Sequence, residues 1–230
     1  LDARAHGADI LAYHAVKSFI KEQNKVVGVE VYSHKTKETK RYYAPLTINA
    51  GGIGGHGIAG MAGVNVGMYP AKGSLLIFGH RVNNVVLNRC RKPANADILV
   101  PGDTICLIGT TSSHVGFDEV DDMRVTADEV DLLLKEGEKL APSLASTRIL
   151  RAYAGVRPLV ASDEDPTGRN ISRGIVLLDH AVRDGVEGFA TITGGKLMTY
   201  RLMAEWTTDL ACSKLGLDRK CVTADEPLPG

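Results

Sequence analysis

Residues 193–201 read Thr193-Gly194-Gly195-Lys196-Leu197-Met198-Thr199-Tyr200-Arg201 and follow directly on the strand-like Phe189-Ala190-Thr191-Ile192. A strand–glycine–helix junction leaves backbone N–H groups free at the positive end of a helix, where the electron-rich edge of a ligand can settle. Paired glycines let such a ligand approach the main chain without Cβ atoms in the way. Lys196 adds a compact cation with three donors. Taken alone, the same pattern is equally a tight turn with a solvated lysine. A second constellation is Tyr153-Ala154-Gly155-Val156-Arg157-Pro158-Leu159. Pro158 disfavours the α region at Arg157 and keeps that residue extended, and the planar guanidinium fork suits two oxygens of a phosphate. Arg173 stands just before another strand-like run. Each arginine is, by itself, also what an ion-paired surface residue looks like.

Gly52-Ile53-Gly54-Gly55-His56-Gly57 spells G-x-G-x-x-G after a strand, the pattern of a dinucleotide fingerprint. That fingerprint wants an acidic residue about 20 positions on, and no Asp or Glu occurs between Glu38 and Asp97. The helix and second parallel strand are also poorly marked, so the expectation is a glycine turn that packs closely on backbone or ligand. The acid-free interval carries Lys40, Arg41, Lys72, Arg81, Arg89, Arg91 and Lys92. It reads either as a locus for an anion or as a solvated basic face. Cys90, Cys106, Cys212 and Cys221 form no C-x-x-C pair, so spacing supports no metal site and the thiols are expected mostly as core filler.

These groups must be positioned by a chain of 230 residues that is 44% hydrophobic, with 27 positive and 27 negative side chains. No basic excess argues for nucleic acid, and no apolar run approaches the roughly 20 residues of a membrane span. Val27, Val29 and Val31 alternate with Gly28, Glu30 and Tyr32, a period of two that predicts a strand. Residues 10–20 read as two short extended pieces around Tyr13-His14, and residues 41–49 as the returning strand of a hairpin. Extended segments follow at 74–79, 85–88, 98–101 and 104–111, joined by turns without helices between, and residues 148–159 resume an extended or looped path beyond a helix. Thr126-Ala127-Asp128-Glu129 is a capping box, after which Val130, Leu133, Leu134 and Leu140 mark one helical face up to Pro142. Strands are expected at 174–179 and 189–193, and a last helix from near Lys196 to Leu215-Gly216. The fold class expected is α+β: an antiparallel or mixed sheet with flanking helices. The expected division is 1–66, 67–160, 161–222 and an exit linker at 223–230 around Pro227 and Pro229.

Thr47-Ile48-Asn49-Ala50-Gly51-Gly52, Pro70-Ala71-Lys72-Gly73-Ser74, Gly109-Thr110-Thr111, residues 153–159 and residues 194–201 occur in that order. Together they resemble the FAD-dependent glycerol-3-phosphate dehydrogenases, within the D-amino-acid-oxidase-like flavoproteins, over essentially the whole chain, which implies that the sheet is a substrate-binding one and that it is joined to incomplete edges of a Rossmann-like FAD-binding domain. Asn88-Arg89-Cys90-Arg91-Lys92-Pro93 and residues 198–206 are similar to the anaerobic branch. The resemblance implies oxidation of sn-glycerol 3-phosphate to dihydroxyacetone phosphate by hydride transfer to FAD. Electrons would pass to quinone through membrane-anchor and iron–sulfur partner subunits, with the protein peripheral at the cytoplasmic face of the bacterial inner membrane. Carried over, Arg157, Arg173 and Lys196 line the substrate site, with Arg157 and Lys196 catalytic. Gly51, Gly52, Gly194, Gly195, Lys196, Leu197, Met198 and Thr199 face the cofactor. The proton acceptor stays open between Lys196, Asp97 and a residue elsewhere. Leu1-Asp2-Ala3-Arg4 lacks an initiator Met, so the chain is expected to be an excised piece, colourless and inactive when isolated, which a stoichiometric flavin absorbance would contradict. Two other readings remain: an amino-acid oxidase of the same superfamily, and a non-catalytic anion-binding or subunit-contact domain.

Overall fold

The computed structural model describes residues 2–160 and 174–226; Arg173, Pro227 and Pro229 lie outside them. A single helical turn, α1 (Asp2–Ala5), precedes β1 (His14–Glu22), β2 (Lys25–Ser33) and β3 (Thr39–Tyr43). These strands form an antiparallel sheet in the order β1-β2-β3. The valine alternation lies on β2, where Val31 is buried and Tyr32 is half-buried. Two expectations for this stretch need correction. Residues 10–20 hold one strand, which begins at His14 because Tyr13 sits at φ +63°, outside the extended region. Residues 41–49 are two strands in two sheets, because Pro45 has no N–H to continue a ladder. The first half pairs with β2; the second, β4 (Thr47–Asn49), joins the sheet that ends the chain.

After β4 comes the glycine turn and a short helix, α2 (Gly55–Met61). There follow β5 (Met68–Phe78), β6 (Leu87–Asn88), β7 (Ile98–Pro101), β8 (Cys106–Gly109) and β9 (Ser113–His114). Next are α3 (Ala127–Gly137) and the long β10 (Ile149–Val160), then β11 (Ile175–Asp179), α4 (His180–Asp184), β12 (Phe189–Gly194) and α5 (Tyr200–Leu215). The expected last helix starts later than Lys196, since a 3₁₀ turn at Leu197–Thr199 intervenes.

The chain divides into two compact units, Leu1–Gly67 with Arg173–Gly230, and Met68–Ser172. The second is built on an antiparallel sheet in the order β10-β5-β8-β7-β6, with β9 also on β5. Leu76, Phe78, Leu99, Cys106 and Ile108 bury one face of it under Leu133 of α3 and Leu144, with Val130, Leu134 and Leu140 packed around them. That is the helical face read from the sequence. The capping box is formed: Glu129 N–H donates to Thr126 Oγ1 at 3.3 Å and Thr126 N–H to Glu129 Oε2 at 2.9 Å. In the first unit, Phe189 is fully buried and packs edge-on against Phe19, ring centroids 5.0 Å apart. Of the four free cysteines only Cys106 is core filler; Cys212 is half-buried and Cys90 and Cys221 are exposed.

The basic stretch is mostly spent on ion pairs. Arg41 pairs with Glu30, Lys72 with Glu129, Arg89 with Glu136, and Arg91 with both Asp97 and Glu136. Its anion-binding reading gains no support from this arrangement. Hydrogen bonds from Lys139 and Arg89 hold the Glu136 carboxyl at a pKa of about 2, against 4.5 ordinarily. A carboxylate with a depressed folded-state pKa adds stability above its unfolded value and loses it as pH falls toward the folded one. We therefore expect the urea midpoint of the native protein to drop between about pH 5 and about pH 2.5, and to drop less in Glu136→Gln. Parallel slopes for the two proteins would refute the assignment.

Candidate functional site

Strands β4 and β12 are neighbours and run parallel, with Thr47, Ile48 and Asn49 opposite Phe189, Ala190 and Thr191. Both carboxyl ends open into glycine: β4 into Gly51-Gly52, β12 into Gly194-Gly195. In sheets with parallel strands, ligands settle outside the carboxyl ends, so the fold brings the two expected cofactor turns to one edge. The G-x-G-x-x-G stretch runs into a helix after all, α2 starting at its Gly55, but the parallel partner of the strand before it is β12, far along the chain.

The conformation of each turn requires glycine. Gly52 lies at φ +56°, and a Cβ there would meet nothing within 4 Å, so the main chain faces open space. Gly51 has no such room: a Cβ would lie 2.6 Å from Ile58 Cδ1. Gly194 and Gly195 lie at φ +72° and +68°. A Cβ on Gly194 would come to 2.5 Å from the Gly174 carbonyl oxygen, and one on Gly195 to 2.6 Å from Met203 Sδ of α5. Beyond them Lys196, Leu197 and Met198 are exposed, Leu197 by 92% and Met198 by 82%. The Thr199 hydroxyl is occupied internally: it accepts from Lys196 N–H at 3.0 Å and donates to the Lys196 carbonyl at 2.8 Å. Thr199 therefore shapes the turn, and its contribution to any ligand is through the backbone. Thr193 Oγ1, at the entry to the turn, is buried without a hydrogen-bond partner among the described residues. Such a group costs roughly 1–3 kcal/mol unless something approaches it. A positive-φ glycine beside open space at Gly52, exposed apolar side chains and an unmet hydroxyl suit a flat, partly apolar ring system with hydrogen-bonding edges.

Arg157 lies in the other unit, on β10 opposite Ala71 of β5. Its guanidinium lies along β5, donating to Thr110 Oγ1 and, at 3.4 to 3.5 Å, to the carbonyls of Lys72, Ala71 and Thr111. Gly73 makes this possible: a Cβ there would fall 2.4 Å from Arg157 Nη2 and 2.8 Å from Cζ. Beneath the same strand, buried Lys72 donates to Glu129 at 2.8 Å and Ser74 Oγ donates to Glu129 at 2.9 Å. Burial pushes the Glu129 carboxyl up, but hydrogen bonds from Lys72, the Thr126 backbone and Ser74 together bring it below its ordinary value. Gly73, Thr110 and Thr111 were legible only as motif letters; their work, fixing the arginine fork, needed the register of β5 against β10. Asp97 accepts from Arg91 Nε at 2.8 Å and from Ala94 N–H at 2.5 Å. It organises its own loop, which argues against it as the proton acceptor. Arg173 is outside the described residues.

Comparison with known proteins bears on this geometry. The chain is 65% identical over 230 residues to a subunit of the anaerobic glycerol-3-phosphate dehydrogenase of Haemophilus influenzae, covering all of this chain and 41% of that protein. It is 66% identical to the subunit of the same name from Escherichia coli K12, covering 42% of it. The chain thus spans about two fifths of the length of these curated relatives. Among solved structures, the glycerol-3-phosphate dehydrogenase of Bacillus halodurans complexed with FAD superposes with a TM-score of 0.74 at 28% identity, covering 97% of this chain and 43% of that one. Glycine oxidase from Bacillus cereus, at 18% identity and a TM-score of 0.66 over 97% of this chain and 56% of that one, shares the fold. Residues 1–201 match the FAD dependent oxidoreductase family. With paired glycine turns at the carboxyl ends of adjacent parallel strands and a match over most of its length, the chain belongs to the FAD dependent oxidoreductases.

Proposed function

We propose that the protein carrying this chain oxidises sn-glycerol 3-phosphate to dihydroxyacetone phosphate with FAD as cofactor. The observation that carries the reading is the Arg157 fork laid against Gly73 and aimed by Thr110, in a chain 65% identical throughout to part of an anaerobic glycerol-3-phosphate dehydrogenase. Bound FAD supplies a two-electron acceptor. Gly51, Gly52, Gly194 and Gly195 offer it main chain, and Leu197 and Met198 apolar contact. The guanidinium of Arg157 brings its charge to substrate oxygens, exchanging for them its long carbonyl contacts at 3.4 to 3.5 Å, and offsets negative charge developing on the C2 oxygen. Lys196 contributes a second cation beside the cofactor turn, and Arg173 a further phosphate contact. Binding energy from the remote phosphate positions C2 for reaction.

The decisive experiment is steady-state turnover of the intact protein with an artificial electron acceptor. We expect turnover of glycerol 3-phosphate and none of glycine or other amino acids; the opposite pattern would replace this reading by an amino-acid oxidase. Gly73→Ala gives a finer check. Its methyl group would displace the Arg157 fork while leaving the charge in place. We expect KM for glycerol 3-phosphate to rise by roughly tenfold or more, with a smaller fall in kcat, because a displaced fork loses substrate-binding hydrogen bonds worth about 1.5–3 kcal/mol. An unchanged KM would show that Arg157 does not bind the substrate.

We further propose that electrons leave through additional subunits, among them a membrane anchor and an iron–sulfur protein, to quinone at the cytoplasmic face of the bacterial inner membrane. The curated relatives are each named as one lettered component of their enzyme, which supports the existence of further subunits. Co-purification of the intact protein with solubilised membranes, and quinone-dependent turnover of that complex, test the rest.

A further inference from the structure

His180, in the first turn of α4, is fully buried, and its ring stacks on Phe189 at 4.8 Å and 15°. Both ring nitrogens have partners: Nδ1 lies 2.6 Å from Asp184 Oδ2 and Nε2 lies 2.8 Å from Thr191 Oγ1. Thr191 of β12 is opposite Asn49 of β4, and Asn49 Nδ2 donates to Thr191 Oγ1 at 3.3 Å and to the Gly55 carbonyl at 2.9 Å. Asn49 Oδ1 accepts from Gly51 N–H at 3.1 Å. The partners fix the orientation of the Asn49 amide. A carbonyl can only accept and a backbone N–H only donate, so the Asn49 amide cannot be flipped. Its remaining N–H serves Thr191 Oγ1, which in turn is hydrogen-bonded to His180 Nε2. On the other side of the ring, Nδ1 faces the Asp184 carboxylate, which can only accept, so a ring proton sits there. Asp184 also receives Arg183 Nη1 at 3.4 Å.

We propose that Asp184, His180, Thr191 and Asn49 form a continuous hydrogen-bond line whose task is to position the glycine turn at residues 51–55 for FAD. The proposal rests on the reading of that turn as cofactor-facing. The order Asp–His–Thr copies a nucleophilic triad, but Thr191 is only 1% exposed, so its hydroxyl meets no substrate. The line ends instead on two groups, the N–H of the 50–51 peptide and the C=O of the 55–56 peptide, that bracket the turn carrying the open Gly52. These residues are positioning residues: they hold the ligand-facing backbone as outer partners hold a metal ligand.

The test uses intact protein stripped of flavin and titrated with FAD, followed by quenching of flavin fluorescence, with the thermal midpoint of each apoprotein measured alongside. Thr191→Val keeps the shape and removes the hydroxyl; Thr191→Ser restores it. We expect the valine variant to bind FAD about tenfold or more weakly and the serine variant to stay within about threefold of native, the range seen when outer partners of a site are removed and kept. Asp184→Ala, which truncates a side chain at the partly exposed end of the line, is the second probe and should also weaken FAD. If Asp184→Ala, or a folded Thr191→Val, loses stability but binds FAD as the native protein does, the line is only structural and the proposal falls. Failure of Thr191→Ser to restore affinity would overturn it as well. Gly52→Ala separates the proposal from its premise. Weaker FAD there with no effect of the line variants sinks the line alone, whereas unaltered FAD affinity there removes the cofactor-facing turn and the proposal with it.

Discussion

Replacing Arg157 by alanine is expected to lower kcat/KM for glycerol 3-phosphate by about 10²–10³-fold, the loss typical of removing one preorganised charge-stabilising donor. The expectation follows from how the guanidinium is held. Among the described residues its donors run to Thr110 Oγ1 and to the carbonyls of Ala71, Lys72 and Thr111, on β5 and just past the end of β8. The Thr110 bond orients the fork, and the carbonyl contacts at 3.4 to 3.5 Å are long enough for an incoming anion to displace. Arg157→Lys should recover only a small part of the loss, because an ammonium on a flexible stem cannot reproduce two parallel hydrogen bonds. The carbonyls left behind can be reached by water or by ladder partners, so the thermal midpoint should move less than the activity. A kcat/KM within threefold of native in Arg157→Ala, with full flavin occupancy, would remove Arg157 from the substrate site.

The second large effect is expected at Gly194. Alanine there would hold a left-handed conformation that costs roughly 1–2 kcal/mol for an L-residue. Its methyl group would also lie 2.5 Å from the Gly174 carbonyl oxygen. Because that oxygen is backbone and receives the Gly195 N–H at 2.9 Å, the turn itself must shift. Each 1.4 kcal/mol of lost complementarity is tenfold in affinity, so FAD content of the purified intact protein should fall by more than about tenfold. Gly216→Ala is the control: φ is +67° and nothing lies within 4 Å of the added methyl group. That variant should show the conformational cost alone, with a lowered midpoint and native flavin content. Equal flavin loss in both variants would mean that the Gly194 turn has no special relation to the cofactor.

Much of this arrangement was legible in the residues. The capping box at Thr126 and the apolar face from Val130 to Leu140 are local patterns, and α3 follows them because helix capping and amphipathicity act within a few turns. The junction at Gly194-Gly195 was legible for the same reason, since paired glycines after a strand permit few other conformations. The division of residues 41–49 was less so: Pro45 marks a break, but which sheet receives Thr47–Asn49 depends on a strand well over a hundred residues away. The basic stretch misled in a similar way. Lys72, Arg89 and Arg91 look unpartnered along the chain, and their acids at Glu129 and Glu136 arrive only when α3 folds over the sheet.

By itself the sequence determined the family, the places where glycine breaks the chain after a strand, and the kinds of group at hand there and elsewhere, an arginine before a proline and a lysine beside a glycine turn. Only the tertiary structure decided which of these groups share an edge. Parallel pairing of β4 with β12 sets Asn49 beside Thr191 and so brings the two glycine turns together. Antiparallel pairing of β5 with β10 sets Arg157 over Gly73. Residue type and local propensity act over a few positions, whereas strand register is settled by burial and hydrogen bonding between segments that the chain order keeps far apart.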